Sequence, residues 1–314
     1  MVVKLRVGLG FFCSTSDNRL STNHRIKLRS LSEDRLLEVF KRNLDDLMKL
    51  LDLSRRMGLT IFRLGSNFIP FASHTRFNRG WFKAIERILR EAADRVRGYG
   101  IRITMHPGQY VVLNSPNENV IMRSLAELKY HFWVLDTLGL GDESLVVVHV
   151  GGVYGDKMRA IKRFEETIEN NKWLTRRLAL ENDERHYTMS EVIEISESLG
   201  LPAVLDYYHH TLNPSKFSMD RLVSTWRNIV PETHLSSAPQ RAHRFGEHGD
   251  YVEVRDFKNL ISLFLGERAI DIIVEAKKKE KAISRLLEEL RGDEVMRLIT
   301  LGRSGDEGSL LVQA

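Results

Sequence analysis

The feature that most constrains the fold is a regular alternation of short apolar runs and longer amphipathic segments along the chain. The amphipathic segments predict helices at Asp34–Met57, Trp81–Val96, Ser124–Leu138, Met189–Leu199 and Met219–Ile229. Eight short apolar runs predict strands, the seventh being the weakest: Leu5–Leu9, Thr60–Leu64, Ile101–Met105, Leu145–Val150, Leu178–Leu180, Pro202–Leu205, His234–Leu235 and Ala269–Val274.

Strict alternation of strands and helices implies a parallel sheet, and eight repeats in 314 residues favour a closed (β/α)₈ TIM barrel in a single domain. A doubly wound open sheet is the alternative. We assign residues 1–291 to the barrel domain and residues 292–314 to a C-terminal tail. The tail carries one apolar patch and then becomes polar and Gly-rich, so we expect it to be loosely packed.

Composition limits the classes of protein that remain. No apolar run approaches the ~20 residues that a membrane-spanning helix needs. The N-terminus leads directly into strand-like sequence, without the pattern of a signal peptide. The single cysteine, Cys13, excludes an intramolecular disulfide, and we predict a cytoplasmic protein. The formal net charge of +5 suits a polyanionic partner, although many basic enzymes bind no nucleic acid.

Metal-binding residue types occur where the predicted strands end. In a (β/α)₈ barrel these ends meet at one face, where active sites are built. Any one histidine there could be only a hydrogen-bonding partner, but seven such residues at equivalent positions point to a site. They are His106, His149, Glu181, Asp206, His209, His234 and Glu275.

The chemistry of these donors predicts the kind of cation. A buried carboxylate at a strand end needs a cation or several hydrogen-bond donors, because an unpaired charge is costly to bury. Imidazole and carboxylate suit Zn²⁺, Mn²⁺ or Fe²⁺, and the absence of cysteine ligands argues against a structural zinc site. Seven donors exceed one tetrahedral site, so we expect at least two ions, the usual arrangement for phosphodiester hydrolysis.

At these residues the sequence resembles the UV-damage endonuclease family. The likeness runs in order from about residue 5 to about residue 280, and its HPGQY, LENDE and HHTLNP motifs are specific in combination. The matching blocks are Phe62–Leu64, Pro70–His74, Met105–Tyr110, His149–Lys157, Leu180–Glu184, Asp206–Pro214, His234–Ser237 and Val274–Lys277.

The resemblance implies a TIM barrel related to endonuclease IV that takes part in nucleotide-excision DNA repair. Such an enzyme nicks double-stranded DNA on the 5′ side of UV photoproducts and abasic sites, leaving a 3′-hydroxyl and a 5′-phosphate. It implies two to three divalent ions, Mn²⁺ first, with Zn²⁺, Mg²⁺ or Co²⁺ as alternatives. We expect a monomer that is nucleoid-associated when it is bound to DNA.

The resemblance also implies roles for individual residues. His248 is preferred to His243 as a ligand, because the His248–Val252 block fits the family better. The implied catalytic residues are His74, Glu181 and Glu275. The implied metal ligands are His106, His149, Glu181, Asp206, His209, His234, His248 and Glu275.

Two positions depart from the family pattern. Some members have a lysine, which can be carboxylated, where this chain has Glu232. We predict that Glu232 supplies an oxygen ligand directly, the alternative being a surface glutamate. The family's Gly-Tyr pair appears here as Gly10-Phe11, which leaves only the ring of Phe11 for stacking on the lesion.

Residues near the predicted mouth are expected to contact DNA. A lesion inside a duplex must be flipped to reach a recessed site, and something must fill the gap. The resemblance assigns this probing role to Gln109 and Tyr110, although the tyrosine could instead pack on the barrel rim. Arg63 and Lys157 are predicted to flank the mouth, Lys157 at the start of a helix where phosphate binds well.

Three other functions remain open. An endonuclease IV-like enzyme specific for abasic sites would share the fold and the metals. A metal-dependent sugar isomerase would share the barrel, but such enzymes rely on more carboxylates and a catalytic lysine. A non-enzymatic damage-binding module would not require so complete a ligand set.

Overall fold

Eight parallel strands form a closed barrel in the computed structural model, which describes residues 4–302. Strand β1 pairs in parallel with both β2 and β8, and this closes the ring. The TIM-barrel prediction is confirmed, and the open doubly wound sheet is excluded. The barrel strands are β1 (Leu5–Phe12), β2 (Ile61–Leu64), β3 (Arg102–Met105), β4 (Val146–His149), β5 (Leu178–Glu181), β6 (Ala203–Asp206), β7 (Glu232–Leu235) and β8 (Ala269–Val274).

Helices surround the barrel and begin at polar capping residues. Ser32 and Asp156 accept hydrogen bonds from backbone N–H groups in the first turns of α1 and α4, and Thr188 forms a capping box at α5. The helices are α1 (Glu33–Arg56), α2 (Arg79–Gly98), α3 (Glu118–Thr137), α4 (Lys157–Glu169), α5 (Met189–Leu199), α6 (Tyr207–Leu212), α7 (Met219–Ser224), α8 (Val254–Leu263), α9 (Lys279–Glu289) and α10 (Val295–Leu298). None of those within residues 4–302 is long and apolar enough to cross a membrane.

One predicted helix is shorter than expected. The amphipathic pattern at Met219–Ile229 predicts three turns, but α7 ends at Ser224. The chain then turns, and Arg227 adopts a left-handed backbone conformation with φ of 54°. A non-glycine residue in this region is incompatible with a continuing α-helix, so the apolar residues beyond Ser224 pack from a turn.

Charged residues occupy the interior of the barrel near the N-terminal ends of the strands. The Asp271 carboxylate lies 3.1 Å from Arg102 and 3.3 Å from Arg6, and all three are largely buried. Gly8 on β1 makes room for this group, because a Cβ atom there would fall 2.1 Å from Asp271 Oδ1 and 2.2 Å from Thr60 Oγ1. The apolar core therefore lies mainly between the strands and the helices, where side chains such as Phe40 are fully buried.

A ninth strand, β9 (Ile299–Leu301), pairs in parallel with the first half of β1. Leu5 faces Ile299 in this pairing, whereas β2 pairs with β1 only from Gly10 onward. Val295 and Ile299 are buried. The tail assigned to residues 292–314 thus begins with a short helix and a strand. Residues 303–314 lie outside the described part of the chain, and the domain boundary at residue 291 stays a prediction.

Candidate metal centre

The strand ends bring the predicted donors to one face of the barrel. His149 and Glu181 end β4 and β5 and are direct partners in the strand pairing. Asp206, which ends β6, pairs with His234 on β7. His106 and Glu275 directly follow β3 and β8. Six donors from six strands therefore stand at the same mouth, as the strand-end rule predicts.

Two clusters of donor atoms form there, and Glu181 belongs to both. In the first, Glu181 Oε2 lies 2.8 Å from His106 Nε2 and 3.5 Å from His149 Nε2. In the second, Glu181 Oε1 lies 2.6 Å from His234 Nδ1. Asp206 and Glu275 complete the second cluster, and within each cluster the donor atoms lie within 4.8 Å of one another.

Two further histidines border these clusters. The His209 ring lies 5.8 Å from the His149 ring and 5.7 Å from the His248 ring. His248 Nδ1 lies 3.6 Å from Glu275 Oε2. His243 is exposed on the preceding loop, so the geometry brings His248 to the site in its place.

The residues fit divalent cations. Asp206 Oδ2 and His149 Nδ1 are buried atoms without a hydrogen-bond partner in the described structure, although Asp206 Oδ1 accepts from the His209 backbone N–H. Asp206 Oδ2 lies 3.6 Å from His209 Nδ1. A buried carboxylate oxygen that accepts no hydrogen bond is costly, and a bound cation would remove that cost. Since the other donors are imidazole nitrogens and carboxylate oxygens, the set matches the ligands of Zn²⁺ or Mn²⁺.

Electrostatics favour the ligand forms of two of these side chains. Burial lowers the pKa of His149 against the opposing effect of Glu181, so its imidazole is neutral and can donate an electron pair. Burial alone would raise the pKa of Glu181, but the neighbouring His234 and the hydrogen bond with His106 outweigh burial and hold it well below the usual value. Glu181 is therefore an ionised carboxylate shared by both clusters.

Arg63 and Glu232 lie one layer below the clusters. Arg63, only 5% exposed, contacts Glu275 and His234 and lies 3.4 Å from Glu232. This differs from the sequence prediction, which put Arg63 beside the mouth for contact with DNA. Glu232 accepts a hydrogen bond of 3.3 Å from Thr104 and lies 3.7 Å from Arg102. It belongs to neither donor cluster of the described residues.

Three other predicted site residues have local partners. The Phe11 ring is fully buried and packs edge-on against Phe62 at 5.4 Å, so it does not face solvent. Lys157 forms an ion pair of 2.7 Å with Glu191. His74 follows β2, and its Nδ1 accepts a hydrogen bond from the Arg76 backbone. Within residues 4–302, no hydrogen bond joins His74 to the clusters.

Gln109 and Tyr110 lie on an exposed turn shortly after His106. Tyr110 is 63% exposed, and its hydroxyl donates a hydrogen bond of 3.1 Å to Glu127 on α3. The Tyr110 ring covers Gly108, where a Cβ atom would fall 2.5 Å from it. Sequence reasoning missed Glu127, because a glutamate in an amphipathic helix carries no signal of a distant partner.

Comparison with known protein families shows to which family this chain belongs. A model described as UV-endonuclease UvdE matches residues 13–302. The chain belongs to the UV-endonuclease UvdE family. A UV DNA damage endonuclease of Clostridium perfringens is 31% identical over 295 residues, covering 90% of this chain and 70% of the relative. One from Bacillus velezensis is 32% identical over 271 residues, covering 83% and 84%.

Solved structures agree with this family and with the barrel. The crystal structure of SacUVDE is 31% identical, covers 92% of this chain and 98% of that one, and superposes with a TM-score of 0.82. An L-ribulose 3-epimerase structure superposes with a TM-score of 0.52 at 13% identity. The latter likeness shows a shared barrel fold and nothing about activity.

Proposed function

We propose that this UvdE-family protein is a DNA-repair endonuclease that uses divalent cations to cut damaged double-stranded DNA. The observation that carries the proposal is the pair of donor clusters joined by Glu181 at the barrel mouth. The relatives named above are UV DNA damage endonucleases, which gives the substrate class. Incision on the 5′ side of UV photoproducts and abasic sites, leaving a 3′-hydroxyl, is the specific reaction proposed.

The proposed metal ligands divide between the two clusters and their border. Bound divalent cations, two or three in number with Mn²⁺ first, would supply Lewis-acid stabilisation of phosphate oxygens and a hydroxide nucleophile. Glu181, Asp206 and Glu275 supply negative charge, and neutral histidines such as His149 supply nitrogen donors. Arg63 contacts both His234 and Glu275, so it holds these two side chains in a fixed orientation.

Access to the recessed donors requires the damaged nucleotides to leave the helical stack. In the proposal, Gln109 and Tyr110 enter the space that the flipped nucleotides vacate. Their exposure beside His106 suits this role. His74 is proposed to act near the scissile phosphate.

Incision of defined duplexes tests the proposal. Metal-loaded protein is incubated with end-labelled duplexes that carry a UV photoproduct, an abasic site or no damage. We expect a nick on the 5′ side of both lesions and none in undamaged DNA. Chelated protein and the Glu181→Gln variant should be inactive, whereas Glu194→Gln, on the exposed surface of α5, should cut like the wild type.

The same assay separates the other candidate functions. Incision of the abasic duplex alone would favour an endonuclease IV-like enzyme. Binding of damaged DNA without incision would favour a damage-binding module. If the protein neither binds nor cuts damaged DNA, the proposal is contradicted. The sugar isomerase would then again be a candidate function.

A further inference from the structure

The connection between β7 and α8 presents an exposed aromatic ring among basic side chains. Phe245 is 54% exposed, whereas phenylalanine side chains are more often buried. Arg241, His243 and Arg244 on the same loop are also exposed. We call residues 238–247 the Phe245 loop. Because this loop follows the C-terminal end of a barrel strand, it lies on the face that holds the metal centre.

The positive charge of the Phe245 loop is not neutralised within the described structure. The guanidinium groups of Arg241 and Arg244 make no hydrogen bond or ion pair with any residue of the range 4–302. The carboxylate of Glu247 lies 2.6 Å from Lys277 and accepts hydrogen bonds from the backbone of His243 and Arg244. The Glu247 carboxylate therefore already has partners other than the arginine side chains. The guanidinium groups of Arg241 and Arg244 remain available to an anionic partner.

The loop that follows β5 contacts the aromatic ring of Phe245. The Arg185 guanidinium, just beyond β5, lies 5.2 Å from the centre of the Phe245 ring. Gly246 adopts a φ of 76° and packs so closely on Glu184 that a Cβ atom would fall 2.9 Å from its Cγ. The ring is therefore held in place by a cation–π contact, and much of its surface stays open to solvent.

The Phe245 loop is also tied to the metal centre. His248, only three residues beyond Phe245, lies 3.6 Å from Glu275 and packs against the His209 ring. Three residues of chain span at most about 11 Å. The open ring therefore lies within a few nucleotides of a strand bound at the donor clusters, and Arg244 directly precedes it in the chain.

We infer that the Phe245 loop is a binding surface for the DNA strand beside the incision site, an inference that rests on the proposed function. Arg241 and Arg244 contact backbone phosphates. Phe245, with Arg185 over its ring, stacks on a nucleoside that becomes accessible when the duplex opens at the lesion. Paired basic and aromatic side chains of this kind are how proteins hold a polynucleotide strand without reading its sequence.

The salt dependence of binding tests the arginines. The Kd for a lesion-containing duplex is measured by fluorescence anisotropy at several salt concentrations, with Ca²⁺ replacing catalytic metal so that the DNA stays intact. We expect the Arg241→Ala/Arg244→Ala variant to lower the slope of log K against log salt by about 1.8, about 0.9 for each lost phosphate contact. The matched control, Arg55→Ala/Arg95→Ala, removes two exposed charges at the C-terminal ends of α1 and α2. These ends lie on the opposite face of the barrel, so the slope should change little.

Substitution of the ring tests stacking. Phe245→Ala should weaken binding of the damaged duplex about 5- to 150-fold, because one base stacked on an aromatic side chain contributes about 1–3 kcal/mol. Phe245→Trp should retain the affinity. Arg185→Ala should fall between the two. Thermal melting of each variant checks that the barrel is intact.

The outcomes separate this inference from the proposed function. Two results together would overturn the inference. The first is a salt-dependence slope of Arg241→Ala/Arg244→Ala equal to that of the control variant. The second is an affinity of Phe245→Ala for the damaged duplex equal to that of the wild type. Wild-type protein that binds the damaged duplex through this loop but never cuts it with Mn²⁺ would contradict only the proposed endonuclease.

Discussion

Glu232 lies between two arginines in the interior of the barrel. Its carboxylate is 3.4 Å from Arg63 and 3.7 Å from Arg102, and the side chain is almost completely buried. Its Oε1 lies 3.2 Å from His234 Nε2. The surroundings are those of a counter-ion for buried cations, whereas the sequence predicts a metal ligand. Both roles can be measured separately.

Removal of the Glu232 carboxylate should destabilise the protein more than it depletes metal. In Glu232→Ala, Arg63 and Arg102 lose part of their compensation, and we expect the free energy of unfolding to fall by about 3 kcal/mol. Urea denaturation and metal analysis of the same samples provide the measurement. Glu194→Ala on the surface of α5 serves as the control. Lost metal with unchanged stability would instead favour the ligand role.

Tyr110 is held by Glu127, and this contact should affect lesion binding. The hydrogen bond of 3.1 Å fixes an otherwise exposed side chain before it meets DNA. We expect Glu127→Ala to weaken binding of the damaged duplex about 10- to 150-fold, since a hydrogen bond to a charged acceptor contributes about 1.5–3 kcal/mol. Glu127→Gln keeps an acceptor and should bind more tightly than Glu127→Ala.

A double-mutant cycle identifies the contact itself. Tyr110→Phe removes the same hydrogen bond from the other side. The double variant Tyr110→Phe/Glu127→Ala should therefore be no weaker than the weaker single variant. Additive losses of affinity would show that Glu127 acts independently of Tyr110.

The sequence located most donors because their positions follow from the barrel alone. A polar residue such as His106 or Glu181 at the C-terminal end of a buried barrel strand lies at the mouth of the barrel, where the ends of all the strands meet. Arg63 and Phe11 could not be placed in this way. Both faces of a parallel barrel strand are buried, so the alternation of residue types does not say which side chains enter the interior.

Among the elements, the eight barrel strands were predictable and β9 was not. Seven of the runs are apolar, and Glu232–Leu235 is a strand because β6 and β8 pair with it on both sides. Strand β9 has only three residues. It forms because β2 leaves the first half of β1 unpaired, which is a property of the assembled barrel and not of the local sequence.

The β9 pairing predicts that a substitution near the end of the described chain destabilises the barrel. Ile299 is 3% exposed, so Ile299→Ala should lower the free energy of unfolding by about 3 kcal/mol through loss of buried apolar contact. Thr300→Ala, at the neighbouring exposed position, is the matched control and should change stability little. Equal stabilities of the two variants by urea denaturation would mean that β9 contributes no packing.

For the molecule as a whole, the donor clusters should link metal binding to stability. Cations that bind the folded barrel but not the unfolded chain raise the free energy of unfolding, by about 4 kcal/mol at a concentration 1,000 times the Kd. Chelation should therefore lower the Tm of the wild type in calorimetry. The Glu181→Gln variant, which alters both clusters at once, should respond much less. A Tm of the wild type that is the same with and without chelator would argue against bound cations.

Because Leu5 pairs with Ile299, residues at the start and end of the described chain share the face of the barrel opposite the metal centre. Thr300 is exposed on that face, as its position on β9 allows. With the native Cys13 replaced by serine, a cysteine introduced at position 300 would let the enzyme be attached to a glass surface in one orientation. The mouth would then point into solution, and single DNA molecules could be followed as they bind and leave.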